Sequence, residues 1–317
     1  MTGGSHSPRL TGAGLLAGRG LTAEPAAPPS RVRFPDGAHF RIEIPSCEGP
    51  DVLRAIVDEA AARGVTVNRV SQGSGAMLQS EAELAEMARI AADNGIEVSL
   101  FVGPREEWDT GRAAASADGG MFAGRVRGTR QLRYAVDDIL RASEQGIRGF
   151  LIADHGLLQL VSEMQAAGQL PASIVWKVSA VLAPSNPLAF AVLERLGGST
   201  VNVPSDLTLG QIAEMRAVSA LPIDLYVETP DAMGGVVRGH EAADLIAVAA
   251  PMYVKFGLRN SRLLYPSGLH LAADAAAIAR EKVRRAQIAL EWIARSGLEL
   301  CQSGPGAPGL GIPEPAR

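Results

Sequence analysis

Two lysines stand inside short apolar segments where a charged side chain is unexpected. Lys177 lies in "IVWKVSA" (174–180) and Lys255 lies in "MYVKFG" (252–257), and both segments have the composition of a β-strand. The chain has 30 basic residues, of which only three are lysines, so arginine is its usual cation. Arginine stays charged in proteins, whereas a buried lysine can lose its proton and act as a nucleophile or base. The sequence therefore predicts that these two amines do chemistry.

Acidic residues occupy similar places in other apolar segments. Glu43 lies within "FRIEIP", Glu228 ends "IDLYVE", and Asp154 ends "GFLIAD" and is followed by His155. Successive side chains of a strand point to opposite faces of a sheet. The face that turns the lysines away from the surrounding helices also collects these acids, and we expect Lys177, Lys255, Asp154, Glu228 and Glu43 to form a catalytic group.

Three chemistries fit this set of side chains, and the residues alone do not choose among them. A desolvated lysine could form a Schiff base with a carbonyl substrate. The residues Asp154, His155 and Glu228 could instead hold a divalent metal that activates water or an enolate. A carboxylate could also act as a general base while the lysines stabilise an oxyanion.

Neutral and basic polar residues at the same strand ends are candidates for substrate binding. For the second strand, the sequence allows two inner faces: one carries Arg69 and Ser71, and the other carries Asn68 and Gln72. The full set predicted from strand ends consists of Arg69, Ser71, Gln72, Ser179, Asn202 and Tyr226.

The elements that must position these residues are eight short β segments, each followed by a helical stretch. The strands are predicted at 40–45, 66–71, 97–102, 149–154, 174–180, 200–204, 223–228 and 252–257. The predicted helices span 50–63, 80–94, 129–145, 156–167, 186–196, 208–219, 240–249 and 270–296. Eight alternating units of this kind predict a (β/α)8 TIM barrel, in which chemistry occurs at the C-terminal strand ends. The alternative, a doubly wound open sheet, is disfavoured because "PSCEGPD" after the first strand is not a phosphate-binding glycine turn.

Composition predicts a single domain between two tails. Residues 1–37 and 301–317 are rich in Gly, Ala, Pro and Ser and lack periodicity, so we expect disordered tails around a barrel at 38–300. A formal net charge of −4 disfavours a nucleic-acid partner. No run approaches 18 apolar residues, so a membrane span is not expected. The first 30 residues do not resemble a secretory signal, and two cysteines suit the reduced cytoplasm.

Loops at the same end supply further candidates for binding an anion. The long segment 103–130, which contains Arg105, is typical of a lid or of a solvated surface loop. Gly234 and Gly235 follow the seventh strand, and Arg259 and Asn260 follow the eighth, where barrels often bind phosphate. Glycine-rich turns with surface arginines are the alternative interpretation.

A longer pattern resembles a known family. The segment "KVSAVLAPSNPLAFAVLERLGGSTVNVPSDLTLGQIAEMRAVSALPIDLYVE" resembles the core of the collagenase-like peptidases of family U32, over about a fifth of the chain. The positions that match are Ser179, Asn186, Leu196-Gly197, Asp206-Leu207 and Leu225-Val227. The resemblance implies peptide hydrolysis in some members and, in others, hydroxylation with an iron–sulfur cluster.

The chain departs from that family after the seventh strand. Where the family has His-Gly and then cysteines, this chain has Glu228, Thr229 and Pro230. We therefore expect no iron–sulfur cluster. A divalent metal is one candidate cofactor, and the sequence does not identify another. The expected function is a barrel enzyme acting on a small anionic or peptide-like substrate, with a hydrolase slightly favoured. A Schiff-base or metal-assisted lyase or aldolase and a non-catalytic ligand-binding barrel are the alternatives, and a homo-oligomer stays open.

Overall fold

The eight predicted strands form one closed parallel barrel. The computed structural model describes residues 11–20, 27–107, 109–111 and 124–315. Each strand pairs in parallel with the next one along the chain, and the eighth closes on the first. The strands are β1 (Phe40–Pro45), β2 (Arg69–Gln72), β3 (Glu97–Phe101), β4 (Gly149–Ile152), β5 (Val175–Val178), β6 (Thr200–Asn202), β7 (Ile223–Glu228) and β8 (Met252–Phe256).

Helices follow the strands and surround the barrel, which confirms the (β/α)8 prediction. Within the described residues the helices are α1 (Gly12–Ala17), α2 (Pro50–Arg63), α3 (Glu81–Asp93), α4 (Gly128–Glu144), α5 (His155–Ala166), α6 (Pro187–Arg195), α7 (Leu209–Val218), α8 (Ala242–Ala249) and α9 (Ala272–Ser296). Helix α3 shows why the boundaries are readable: Ser80 Oγ accepts from Glu83 N, and the Glu83 carboxylate accepts from Ser80 N at 2.8 Å. Of these described helices, none is long and apolar enough to cross a membrane.

The two faces of each strand carry opposite kinds of side chain. The outward residues Ile42, Val70, Leu100 and Val254 belong to one apolar core between strands and helices. The residues between them in sequence point into the barrel, and several are charged and fully buried. The hydrophobic core therefore lies in the outer layer, and the barrel interior holds a polar network.

The C-terminal segment differs from the expected disordered tail. Residues 301–315 cross the N-terminal end of the barrel, where their backbone N–H groups pair with residues at the strand starts. Ser303 N donates to Phe40 O at 3.1 Å, and Gly306 N donates to Gly95 O at 2.8 Å. Gly311 N donates to the Glu97 carboxylate at 3.1 Å. A segment with few apolar side chains is thus held through its backbone, which composition does not reveal.

Part of the expected N-terminal tail is also packed. Ser30 N donates to Ala247 O at 2.7 Å, and the Phe34 ring meets the Tyr253 ring edge to face at 5.4 Å. Residues 1–10 and 21–26 lie outside the described residues. The packed chain therefore includes residues on both sides of the predicted domain 38–300.

Asn68 joins the C-terminal segment to the barrel with all of its amide atoms. Its Oδ1 accepts from Ile42 N at 2.9 Å and from Gln302 Nε2 at 3.0 Å. Its Nδ2 donates to Ser303 O at 3.0 Å and to Gly304 O at 3.1 Å. Removing this side chain would leave several buried backbone groups without partners.

We predict that Asn68→Ala lowers the free energy of unfolding by about 3 kcal/mol, because each unsatisfied buried group costs about 1–3 kcal/mol. Urea unfolding measures the change. The control is Asn94→Ala, which removes one side-chain bond at the end of α3. An equal or smaller loss for Asn68→Ala than for the control would show that the segment 301–315 is not held by this residue.

Candidate active site

Six charged side chains meet inside the barrel, and we call them the central cluster. They come from β1, β2, β3, β5, β7 and β8, and each is at most 2% exposed. The members are Glu43, Arg69, Glu97, Lys177, Asp224 and Lys255. Both lysines therefore point inward, as the strand alternation predicts.

Glu43 is the carboxylate that touches most of the others. It accepts from Arg69 Nε at 2.7 Å and from Ser71 Oγ at 2.7 Å. Its Oε1 also accepts from the Lys177 ammonium and lies 3.6 Å from Lys255 Nζ. The two amines of the cluster are thus held on one carboxylate oxygen.

Arg69 links Glu43 to the other acids. Its Nη2 lies 2.6 Å from Asp224 Oδ1, and its Nη1 lies 3.6 Å from Glu97 Oε1. The guanidinium carbon lies 3.4 Å from the centroid of the Tyr253 ring, so the cation is also stacked on an aromatic face. A guanidinium with this many partners is a fixed structural cation.

Lys255 has a different environment from Lys177. Its ammonium donates to Asn202 Oδ1 and lies 3.9 Å from the centroid of the Tyr226 ring. Asn202 Nδ2 donates to Val178 O at 2.5 Å, which fixes the orientation of its amide. Lys255 therefore rests on neutral partners, with Glu43 as its nearest acid.

Burial and neighbouring cations shift the acidity of the cluster. Desolvation lowers the pKa of Lys177 to about 7, with further lowering by Arg69 and Lys255 and an opposing effect of Glu43. Desolvation also lowers the pKa of Lys255. Burial raises the pKa of Glu43, but Arg69 and the two lysines outweigh it and hold that pKa well below its usual range. Near neutral pH the cluster thus contains an ionised carboxylate beside an amine that is partly unprotonated.

The sequence did not predict two members of the cluster, Asp224 and Glu97, or the neighbouring Tyr253. Asp224 accepts from Thr200 Oγ1 at 3.0 Å, and Tyr253 Oη accepts from Arg41 at 3.0 Å. Glu97 also belongs to it, and burial raises the pKa of Glu97. Strand alternation contained a signal for these residues. Asp224 stands two positions before Tyr226 on β7, and Tyr253 stands two positions before Lys255 on β8. Glu97 is the first residue of β3. Of the predicted binding residues, Arg69 is a member of the cluster, and Ser71, Asn202 and Tyr226 contact its members.

Asp154 and His155 lie at the start of α5 and not in the cluster. Asp154 Oδ1 accepts from Leu157 N at 2.9 Å as the helix N-cap, and its Oδ2 accepts from Val126 N at 3.1 Å. The prediction that Asp154 joins the lysines is corrected: a carboxylate just before a helix is used to cap it.

Glu228 is turned away from the cluster by an irregularity in β7. Tyr226 pairs with Lys255, but the register then shifts and Glu228 pairs with Phe256, whose side chain belongs to the outer core. Glu228 accepts from Arg259 N at 3.1 Å and lies 3.7 Å from Arg285 Nε of α9. A β-bulge re-aims a side chain in this way, so the predicted catalytic position of Glu228 is also corrected.

Three further candidates are engaged in local structure. Gln72 exchanges hydrogen bonds with both backbone groups of Gly75. Ser179 caps a short 3-10 turn by accepting from Val181 N at 3.3 Å. Arg105 is buried, with its guanidinium 3.7 Å from the Phe101 ring centroid and donating to Ser74 O at 3.1 Å. None of these contacts involves a member of the central cluster.

The predicted anion site in the last two loops has its cation already paired. Arg259 Nε lies 3.3 Å from Asp231 Oδ1, and Asn260 N donates to the same carboxylate at 2.5 Å. Gly235 adopts φ +63° beside Arg259, and Gly234 adopts φ +94°. These residues form an exposed loop stabilised by Asp231, which matches the surface-turn interpretation.

The described residues do not bring a metal-binding set together. Among them, no three His, Cys, Asp or Glu side chains are grouped as a metal ion would require. Asp154 and Glu228 serve a helix cap and an α9 contact, so they do not share a ligand position with His155. Residue 108 and residues 112–123 of the loop 103–130 lie outside the described residues.

Comparisons with known proteins find fold neighbours at low identity. No family model matches the chain, and no curated protein matches it. The U32 peptidase Mk0906 is 18% identical, with 61% of this chain and 70% of that chain covered and a TM-score of 0.41. A native KDPGal structure is 10% identical, with 83% and 99% covered and a TM-score of 0.45. The carboxyl transferase domain of Rhizobium etli pyruvate carboxylase is 11% identical, with 84% and 50% covered and a TM-score of 0.45.

Similarity of this extent carries no argument about substrate or reaction. The U32 peptidase is one neighbour among proteins of several kinds. Barrel enzymes with unrelated activities share one fold. The chemistry of this chain must therefore be argued from its own side chains.

We predict that Lys177 titrates near pH 7. The chain has three lysines, so NMR of protein labelled with 13C in lysine resolves each side chain. We expect one midpoint near 7 for Lys177 and another near 8 for Lys282, whose pKa is lowered by burial. Three midpoints near 10.5 would contradict the electrostatics of the cluster.

The same shift predicts a pH dependence of stability. Between pH 7 and 10.5 the unfolded chain binds more protons at Lys177 than the folded chain, so stability rises with pH across this window. The slope per proton reaches about 1.4 kcal/mol per pH unit. Lys177→Met should remove the part of the slope that begins near pH 7 and leave the part from Lys282. An unchanged slope in urea unfolding would contradict the prediction.

Proposed function

We propose that this protein is an enzyme that forms a Schiff base between Lys177 and a small carbonyl substrate. The observation that carries the proposal is the buried Lys177 amine, with a pKa of about 7, held beside Glu43 and a second amine. A lysine becomes a nucleophile when desolvation or a neighbouring cation lowers its pKa. Both conditions act on Lys177.

The neighbours of Lys177 can carry the protons of this reaction. The Lys177 nitrogen attacks the carbonyl carbon, and the carbonyl oxygen takes a proton from the Lys255 ammonium. The new C–N bond places a positive charge on Lys177, which passes a proton to Glu43. Protonated Glu43 then returns that proton to the hydroxyl group, which leaves as water while the nitrogen lone pair forms the iminium.

This sequence leaves Lys255 neutral and next to the iminium. A neutral amine there can accept the proton from the carbon adjacent to the former carbonyl, which gives an enamine. Asn202 Oδ1 and the Tyr226 ring face favour the ammonium form of Lys255, so they keep it ready to donate in the first step. The proposed reaction class is a lyase or aldolase.

An apolar wall lies beside the nucleophile. Phe101, Leu151 and Ala153 form a small cluster on β3 and the end of β4, each 6–8% exposed. Leu151 is the direct neighbour of Lys177 across the β4–β5 pair. Apolar neighbours keep water away from the amine and favour its neutral form.

The charges of the cluster do not favour an anionic substrate. Three acids (Glu43, Glu97 and Asp224) face three cations (Arg69, Lys177 and Lys255), so the formal charges cancel when every member is ionised. The cluster therefore does not support the expectation of an anionic substrate. The proposed substrate is an aldehyde or ketone, and its net charge is left unspecified.

Peptide hydrolysis receives less support than carbonyl chemistry. Ser179 and Asn186, which carry part of the resemblance to the U32 peptidases, cap a 3-10 turn and α6 respectively. Neither contacts the lysines among the described residues. Among the described residues, no three His, Cys, Asp or Glu side chains are grouped to hold a metal, whereas the proposed amine chemistry has both a nucleophile and its proton carriers.

Reductive trapping tests the proposal. We predict that protein incubated with pyruvate or glycolaldehyde and then treated with borohydride gains the mass of one reduced adduct, mapped to Lys177 by peptide analysis. The rate should rise with pH through about 7, because the neutral amine is the reactive form. Lys177→Met should abolish the adduct, and Lys255→Met should slow it at least tenfold.

Lys282→Met is the matched control. Lys282 is also buried with a lowered pKa, but its ammonium donates to Pro45 O at 2.8 Å from α9, outside the barrel interior. This variant should label like the wild type, and circular dichroism should show all three variants folded. Absence of labelling with every carbonyl, or equal labelling of folded Lys177→Met, would overturn the proposal.

A further inference from the structure

A cavity lies apart from the central cluster, between the loops that follow β1, β2 and β8. Its volume is about 230 Å³, below the 300–1,000 Å³ typical of sites for drug-sized ligands. The residues that matter for its chemistry are Glu48, Gly49, Leu78, Gln79, Ser267 and Leu269. A cavity of this size suits a small molecule or a single group of a larger one.

Gln79 brings an unused amide into this cavity. The residue is 7% exposed, and neither its Nε2 nor its Oε1 has a hydrogen-bond partner in the part of the chain that the structure describes. Its backbone is fixed on both sides: Gln79 N donates to Ala76 O at 3.0 Å, and Arg141 donates to Gln79 O at 2.8 Å. A buried polar group without a hydrogen-bond partner is unfavourable. This anchored amide is therefore suited to bind a ligand that supplies the missing partner.

The start of α2 faces the same space. Gly49 is the N-cap of this 14-residue helix, and no described side chain caps it. Pro50 at the first position has no N–H, so the donors without an intrahelical acceptor are the backbone N–H groups of Asp51 and Val52. A side-chain carbon placed on Gly49 would lie 3.9 Å from Gln79 Nε2, so the amide and the helix start are close together. A ligand oxygen placed between them could accept from Gln79 Nε2 and from a backbone N–H at the start of α2.

Ser267 adds a third polar group without a partner. Its backbone N donates to Ser74 Oγ at 2.7 Å, which holds the residue in place at the cavity wall. Its Oγ is buried and has no hydrogen-bond partner among the described residues. Two side chains from different loops therefore present unused hydrogen-bonding groups to one cavity.

The charge of the wall excludes a strongly anionic ligand. Glu48, Asp51 and Glu83 line the cavity, and none of the described residues that line it is basic. The Glu48 carboxylate accepts from Gly73 N at 2.8 Å and from Ser74 N at 3.1 Å. Asp51 is already paired with Arg54, whose Nη1 lies 2.8 Å from Asp51 Oδ1, but a phosphate at the α2 start would still lie beside Glu48 and Glu83. The acceptor that fits is an uncharged carbonyl oxygen.

The opening of the cavity is apolar. Leu78 is 49% exposed and Leu269 is 79% exposed, and both belong to the cavity wall. Exposed leucines beside a polar cavity can cover an apolar substituent of the ligand. The ligand should therefore combine a polar neutral group with an aliphatic one.

We propose that this cavity binds a neutral primary amide that carries an aliphatic substituent, such as a carboxamide next to an apolar side chain. The amide oxygen accepts from the start of α2 and from Gln79 Nε2. The N–H of the primary amide that lies on the same side as its oxygen donates to Gln79 Oε1, so both atoms of the glutamine amide gain a partner. The aliphatic part lies on Leu78 and Leu269. This site uses none of the residues assigned to the Schiff-base chemistry.

Binding of N-acetyl-leucinamide, measured by NMR titration of the full chain, tests the proposal. N-acetyl-leucinate and leucinamide are the anionic and cationic probes of similar shape. We expect N-acetyl-leucinamide to bind at least tenfold more tightly than N-acetyl-leucinate. Gln79→Leu should weaken this binding at least tenfold, and Ser267→Ala should weaken it less.

The control variant is Gln159→Leu, which changes an exposed glutamine of α5 that bonds to Glu163. It should leave binding unchanged. Gln79→Leu should keep or raise the melting temperature, because it removes a buried amide without partners and so separates loss of binding from loss of structure. The proposal is overturned if the neutral probe does not bind, if it binds equally to Gln79→Leu, or if a charged probe binds more tightly.

Discussion

The structure depends on one buried carboxylate that is shared by cations from three strands. Glu43 on β1 bonds to Arg69 on β2 and to Lys177 on β5, and lies 3.6 Å from Lys255 on β8. Removing an ionised carboxylate from water costs several kcal/mol, and it is tolerated only when close opposite charges replace the water. A shift of one residue along β1 would turn Glu43 into the apolar outer layer, so this carboxylate also specifies the register of the barrel.

The same contacts have opposite effects on the protonation of Lys177. Glu43 favours its ammonium form, whereas burial and the neighbouring cations Arg69 and Lys255 favour its amine form. Arg69 remains charged in the same interior because its guanidinium bonds to Glu43 and Asp224 and stacks on Tyr253. The cluster is therefore asymmetric: Arg69 stays charged, and Lys177 is the member whose pKa lies near neutral pH.

Alternation along strands predicted much of this arrangement from the sequence. It turned Lys177 and Lys255 inward and placed Glu43 and Asn202 with them, because a regular strand leaves no other choice. Asp224 was not predicted although it stands two residues before Tyr226, because it lies deeper in the barrel than the strand ends where chemistry is expected. Glu228 could not be predicted, because the register shift in β7 has no signal in its own residues.

Other errors came from interactions between segments distant in sequence. Asp154 was expected in the active site, but a carboxylate at a strand end also precedes a helix, and here the helix start uses it. The segment 301–315 was expected to be disordered because it has few apolar residues, yet its backbone pairs with the strand starts. Periodicity reports which face a residue occupies and not which backbone groups will meet.

The choice of lysine over arginine separates a chemical interior from a purely structural one. A structural cation at 177 or 255 could be arginine, since the barrel already accommodates Arg69 with several partners. Burial alone does not explain the choice, because Lys282 is also buried, behind β1, where its ammonium donates to the backbone carbonyl of Pro45 and lies near Glu48. Lys177 differs from Lys282 because it shares a carboxylate oxygen, Glu43 Oε1, with a second amine, that of Lys255. In the proposed reaction, that combination supplies a nucleophile, a proton donor and a proton acceptor, which structural support does not require.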